Sequence, residues 1–225
     1  MYFDYLYRGF KKALVVLPGW GFDYRIFPLD PLEYNLIVPT APLYQDICQD
    51  LASFLENNKL CEVDILGWSL GGVSAYLFAK RYEELIKNLV LISSRDSYPK
   101  EQLSVLMEQI VEDKERTLKK FYLSSFYAQT ADYRIFRRDH MQRLMDAWSK
   151  ESLIKGLNFL LQFPMTPYSF TKLNLLIVHG EYDKIAPVSS MAPVISDRKF
   201  KRLIVDSSGH LPFLRINFNE VLDSF

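Results

Sequence analysis

The sequence predicts an α/β fold: a mostly parallel, doubly wound sheet with a helical segment inserted in it. Three observations predict it. Short apolar runs of the kind that suits strands covered on both faces alternate with amphipathic stretches from residue 13 to 93, and strands return from 173 onward. Between them, 98–168 reads as helix only. One apolar run passes through Gly67-Trp68-Ser69-Leu70-Gly71-Gly72 straight into helix-forming residues, in the order strand, sharp turn, helix.

In order, residues 2–8 alternate as an antiparallel edge strand does, and 13–17 is a fully apolar run ending at Pro18-Gly19-Trp20-Gly21. A second buried strand, 34–39, leads to an amphipathic helix from about Tyr44 to residue 57. The strand before Ser69, a helix over 70–82 and a short strand over 86–93 follow. Helical periodicity then covers 102–113, 116–128 and 141–163, and this part is predicted to be a lid. The sheet resumes with 173–178, a short helix, a strand over 202–205 and a terminal helix from about Leu211. The expected division is therefore a core of 1–97 and 169–225 with a lid of 98–168. No repeat or low-complexity linker separates a second domain.

The 27 basic and 27 acidic residues of this 225-residue chain cancel, so the overall charge does not favour nucleic acid or an anionic membrane as partner. Cys48 and Cys61 form no C-x-x-C pair and neighbour no histidine at ligand spacing, which argues against a disulfide framework or a metal centre. With no basic-then-apolar leader and no long apolar run, the expectation is a soluble, cytoplasmic monomer.

Ser69 is the candidate nucleophile. A serine at the tip of a strand-to-helix turn needs a strained backbone and small neighbours two residues away on each side, which Gly67 and Gly71 supply. Serine is a weak nucleophile at neutral pH, so it needs a base, and the base needs an acid to fix its tautomer. Of three histidines, His140 lies among charged residues of the lid and His179 ends a buried strand, so both read as structural. His210, in the loop after the last strand, is the candidate base, and Asp183 the candidate acid, with Asp96 and Glu181 as rivals. Asp206 lies too near His210 in sequence to reach it comfortably. The backbone N–H groups of Leu70 and Trp20 are the expected oxyanion donors. No metal or organic cofactor is called for.

Together, Leu17-Pro18-Gly19-Trp20-Gly21, the Gly-Trp-Ser-Leu-Gly-Gly turn, His179-Gly180-x-x-Asp183 and Gly209-His210 resemble the α/β-hydrolase superfamily over nearly the whole chain. Within it, Gly-Trp-Gly at the oxyanion loop beside Gly-Trp-Ser-Leu-Gly-Gly is most similar to the pimeloyl-acyl carrier protein methyl ester carboxylesterases of biotin biosynthesis. The resemblance implies hydrolysis of a carrier-linked methyl ester, with substrate contacts at Trp20, Ser69, Leu70, His210 and the lid run Phe121, Tyr122, Leu123, Ser124 and Ser125. Phe121 and Tyr122 read equally well as lid core. An acyl-carrier protein is acidic, so Lys119, Lys120, Arg134, Arg137 and Arg138 are candidate docking residues, with an ordinary solvated helix face as the plainer account. The chain departs from the family pattern at Pro18, where histidine is usual, and at 39–43, which lacks a Gly-x-Gly-x-Ser turn. A general carboxylesterase or thioesterase, or a non-catalytic receptor on the same fold, are the competing functions.

Overall fold

A strand that is apolar on both faces must be covered on both faces, and that requirement organises the molecule. The computed structural model describes residues 3–43 and 45–223. Tyr2 and Tyr44, at the heads of two predicted elements, lie outside the described residues.

The main sheet contains β1 (Phe3–Leu6), β2 (Lys12–Leu17), β3 (Tyr34–Pro39), β4 (Val63–Trp68) and β5 (Ile86–Ile92). A small strand β6 (Tyr168–Phe170) precedes β7 (Asn174–Gly180), which returns to the main sheet. Next come the small strand β8 (Val194–Ser196) and β9 (Phe200–Val205), the last of the main sheet. The order across the main sheet is β1-β3-β2-β4-β5-β7-β9; every pair is parallel except β1 with β3. All six residues of β4 are buried, as its near-continuous apolar run requires.

The first helix, α1 (Cys48–Asn57), and the next, α2 (Leu70–Arg81), connect the early parallel strands. Nine of α2's residues are buried, and Lys80 and Arg81 sit at its negative C-terminal end. Five helices then intervene before β6: α3 (Lys100–Glu112), α4 (Lys114–Ser125), α5 (Thr130–Asp139), α6 (Met141–Ala147) and α7 (Lys150–Gln162). The last described element is α8 (Phe218–Asp223).

Several boundaries differ from the sequence expectation. The run 141–163 is two helices: Trp148 is extended, and Ser149 starts α7 with a reciprocal capping box to Ser152. The all-helical reading of 98–168 set no bounds for a helix over Thr130–Asp139, a mostly polar segment in which Phe136 alone is buried. The predicted terminal helix from Leu211 is a short 3-10 turn over Pro212–Leu214, after which the chain re-enters a helix only at Phe218. Strands β6 and β8, three residues each, pair with one another in a separate parallel sheet; strands so short carry no alternation to read.

Register brings the functional loops together. Leu17 pairs with Gly67, Trp68 with Ile92, Ile92 with Val178, and Gly180 with Val205. The carboxyl ends of five strands therefore share one rim. The chain leaves β2 toward β3 and leaves β4 toward β5, in opposite directions, which opens a crevice above β2 and β4.

Candidate active site

Ser69 sits at that crevice, between β4 and α2, with φ 55° and ψ −116°, a backbone conformation that an L-residue adopts only under constraint. The constraint is visible in the neighbouring glycines. A Cβ on Gly67 would lie 2.6 Å from the Gly71 carbonyl oxygen, and one on Gly71 would lie 2.0 Å from the Leu17 carbonyl oxygen. The first turn of α2 is thus pressed against the end of β2, which brings the Pro18-Gly19-Trp20 loop beside it. The first N–H groups of a helix have no carbonyl one turn earlier to bond, so the α2 terminus, Leu70 included, offers donors and positive potential beside Ser69.

His210 and Asp183 are both nearly inaccessible, at 1% and 5% exposure. His210 Nδ1 lies 2.8 Å from Asp183 Oδ2. A carboxylate can only accept, so Nδ1 carries the proton and Nε2 presents a lone pair. Asp183 Oδ1 accepts from the N–H groups of Ile185 and Ala186, each at 2.8 Å. Burial acts to raise the Asp183 carboxyl, but the charge of and hydrogen bond to His210, with the Ala186 N–H, outweigh it and hold the group below the usual carboxylate range. Asp183 is therefore ionised at neutral pH.

The rival acids point elsewhere. Asp96 accepts from its neighbour Ser97 N–H at 2.6 Å, Glu181 accepts from Ser207 N–H at 3.0 Å, and Asp206 is exposed. His140 is half-buried, its ring stacked on Phe136. His179 is fully buried with no hydrogen-bond partner for either nitrogen among the described residues, and burial pushes it down to about 4.

His210 Nε2 is buried and has no hydrogen-bond partner among the described residues. The Ser69 hydroxyl lies instead 3.4 Å from the hydroxyl of Tyr98. Tyr98, in the loop after β5, is half-buried as a residue, but its phenol end is enclosed, and burial pushes it up to about 12. It stays protonated and can donate. Sequence reasoning missed it; its position just past a strand on the Ser69 rim was the available signal.

Ser69 opens into a cavity of about 150 Å³. Leu103 and Leu106 of α3, Phe121 of α4, and Leu157 and Leu160 of α7 give it aliphatic and aromatic walls, while Tyr98, Gln102 and Lys184 add polar groups. Trp20 closes one side: its indole donates to the Leu153 carbonyl at 2.8 Å and meets Phe121 edge-on at 4.7 Å. Gly156 makes that closeness possible, since a Cβ there would lie 2.8 Å from the Trp20 ring.

Of the expected acyl contacts on α4, Phe121 lines the cavity. Tyr122 is core, its hydroxyl donating to the Gly21 carbonyl at 2.7 Å; Leu123 and Ser124 face solvent; Ser125 turns its hydroxyl to the Phe121 carbonyl. None of these four lines it: Tyr122 and Leu123 leave the helix on other faces than Phe121, and Ser124 and Ser125, a turn further on, are turned to solvent and to the helix's own backbone. Lys119, paired to Glu115, and Lys120 border a surface groove of about 500 Å³ with Asp113, Arg116, Leu123 and Tyr133, whereas Arg134, Arg137 and Arg138 are exposed along α5 outside it.

A serine on a strained strand-to-helix turn at the switch point of a parallel sheet, with a buried histidine–aspartate pair on the same rim, defines a class. The chain belongs to the alpha/beta hydrolase fold family, whose model matches residues 20–215. It is 25% identical to the pimeloyl-acyl-carrier protein methyl ester esterase of Wigglesworthia glossinidia brevipalpis, over 89% of this chain and 87% of that one. It is likewise 25% identical to the enzyme of the same name from Shewanella sp. (strain MR-7), over 92% and 87%. Among solved structures, the esterase EaEST from Exiguobacterium antarcticum superposes with a TM-score of 0.76 at 21% identity, covering 99% of this chain and 94% of that one. The bromoperoxidase from Bacillus anthracis superposes with a TM-score of 0.79 at 16% identity, covering 99% and 93%. These structures bear on the fold alone. Among the described residues, no helix is long and apolar enough to cross a membrane.

Proposed function

We propose that the chain is a serine carboxylesterase that hydrolyses the methyl ester of pimeloyl-acyl carrier protein through an acyl-enzyme on Ser69. The observation that carries the reading is the Ser69 backbone, held at φ 55° on the rim that also bears the paired His210 and Asp183. His210 Nε2 takes the Ser69 proton as Oγ attacks the ester carbonyl. The N–H groups of Leu70 and Trp20 hold the oxyanion. His210 then gives that proton to the departing methoxide, releasing methanol, and next activates the water that releases the acid, while Asp183 keeps the tautomer and stabilises the imidazolium.

The helical segment 98–168 is proposed as a lid over the acyl chain, since α3, α4 and α7 supply most of the apolar wall facing Ser69. The exposed cations Lys119, Lys120, Arg134, Arg137 and Arg138 are proposed to dock the acidic carrier. The substrate itself comes from the relatives' names; the cavity's modest volume equally favours a second reading, a general carboxylesterase or thioesterase for small acyl groups.

The ratio of kcat/KM for a carrier-linked methyl ester to that for a short p-nitrophenyl ester separates the two. The proposal expects the carrier-linked ester to be preferred and charge reversal at Arg137 and Arg138 to raise its KM alone. Equal values, or equal effects of the reversal on both substrates, would leave the general esterase standing.

A further inference from the structure

We propose that Gln129 is a positioning residue for His210, acting from the helical segment on the loop that carries the imidazole. The inference rests on the reading of His210 as general base. Gln129 lies between α4 and α5 and is 0% exposed. Its amide bonds to both residues flanking His210: Nε2 donates to the Leu211 carbonyl at 2.9 Å, and Oε1 accepts from the Gly209 N–H at 3.0 Å. One partner must accept and the other must donate, which fixes the amide's orientation.

The same turn holds His210 itself. The His210 N–H donates to the Ser125 carbonyl at 2.9 Å, and the Trp68 indole donates to the His210 carbonyl at 2.8 Å. A Cβ on Gly209 would lie 2.4 Å from the Tyr127 carbonyl oxygen, so the loop is in direct backbone contact with 125–129. Three consecutive residues, 209–211, are thus gripped, and three of the four bonds come from the end of α4 and the turn that follows it.

Asp183 fixes the Nδ1 side of the ring, but the reach of Nε2 toward Ser69 also depends on where the backbone holds the side chain. A small rotation of the loop displaces Nε2 by a larger amount, and a misplacement near 1 Å costs on the order of 100-fold in rate. An uncharged primary amide of this length donates and accepts at once. Methionine of similar length does neither, and an ionised glutamate only accepts.

The test uses the full chain with p-nitrophenyl acetate, kcat being normalised to folded enzyme by circular dichroism. Gln129→Met should lower kcat on the order of 10- to 100-fold with KM unchanged. Leu144→Ala, a core truncation in α6, should lower Tm while keeping kcat. Gln129→Glu should recover toward wild type as pH falls, because the protonated acid regains a donor for Leu211. Wild-type kcat in Gln129→Met, with His210→Ala inactive, would overturn the role of Gln129 alone; an active His210→Ala would remove the reading beneath it. If Gln129→Met does not fold, Gln129→Glu decides, and a ratio to wild type that does not change with pH overturns the proposal.

Discussion

The Ser69 hydroxyl lies 3.4 Å from the Tyr98 hydroxyl, while His210 Nε2 is buried with no hydrogen-bond partner among the described residues. The mechanism proposed above requires Ser69 Oγ to turn from one to the other. At 3.4 Å the Tyr98 contact is long for an O–H···O bond and should be weak. Tyr98→Phe removes the competing partner and is expected to raise the rate of Ser69 labelling by a fluorophosphonate a few-fold. A loss of more than about tenfold would assign the Tyr98 hydroxyl a supporting part in the chemistry.

Asp183→Asn tests the tautomer. Its Oδ1 contacts to Ile185 and Ala186 can survive in asparagine, so the fold should hold. The new amide would donate to Nδ1 and drive the ring proton to Nε2, where it blocks deprotonation of Ser69. The expected fall in kcat is on the order of 10⁴-fold, with Tm close to wild type at neutral pH. Steady-state kinetics beside a melting curve reads both.

His179 makes stability depend on pH. Burial lowers it from 6.5 to about 4 in the folded chain. The unfolded chain therefore binds the proton first, and stability present above pH 6.5 is lost as pH falls through the folded value. The loss totals roughly 3 kcal/mol between those limits. His179→Leu leaves no unpaired nitrogen and should flatten that part of the curve, seen as a denaturation midpoint that changes less from pH 7 to 4. A wild-type slope in the variant would contradict the assignment.

Gly71→Ala asks whether the turn tolerates a methyl group. The added Cβ would lie 2.0 Å from the Leu17 carbonyl oxygen, and neither backbone can give way without moving β2 against α2. A destabilisation of about 3 kcal/mol is expected in urea unfolding, with esterase activity lost in the fraction that stays folded. Unchanged stability would mean the turn is looser than its contacts imply.

Residues carrying a pattern or a chemical type were legible in the sequence. The apolar runs of β2, β3, β4 and β5 marked a parallel sheet because burial on both faces permits few polar residues. The strained turn at Ser69 and the pairing of His210 with Asp183 followed from residues that each come after a strand and are of few types able to form such a pair. Tyr98 and Gln129 were not singled out: a tyrosine after a strand and a glutamine between helices have ordinary local surroundings, and their hydrogen-bond partners lie 29, 80 and 82 positions away. The five-residue contact run from Phe121 was read as a string, whereas a helix presents one face. The break at Trp148–Ser149 was hidden because apolar periodicity continues across it while the capping box does not alter the pattern.

The most direct measurement is intact-mass analysis with peptide mapping after treatment by a fluorophosphonate. The account predicts one adduct per chain, on Ser69, abolished by Ser69→Ala and slowed by orders of magnitude in His210→Ala. An adduct on another residue, or labelling of Ser69 at an undiminished rate without His210, would contradict it.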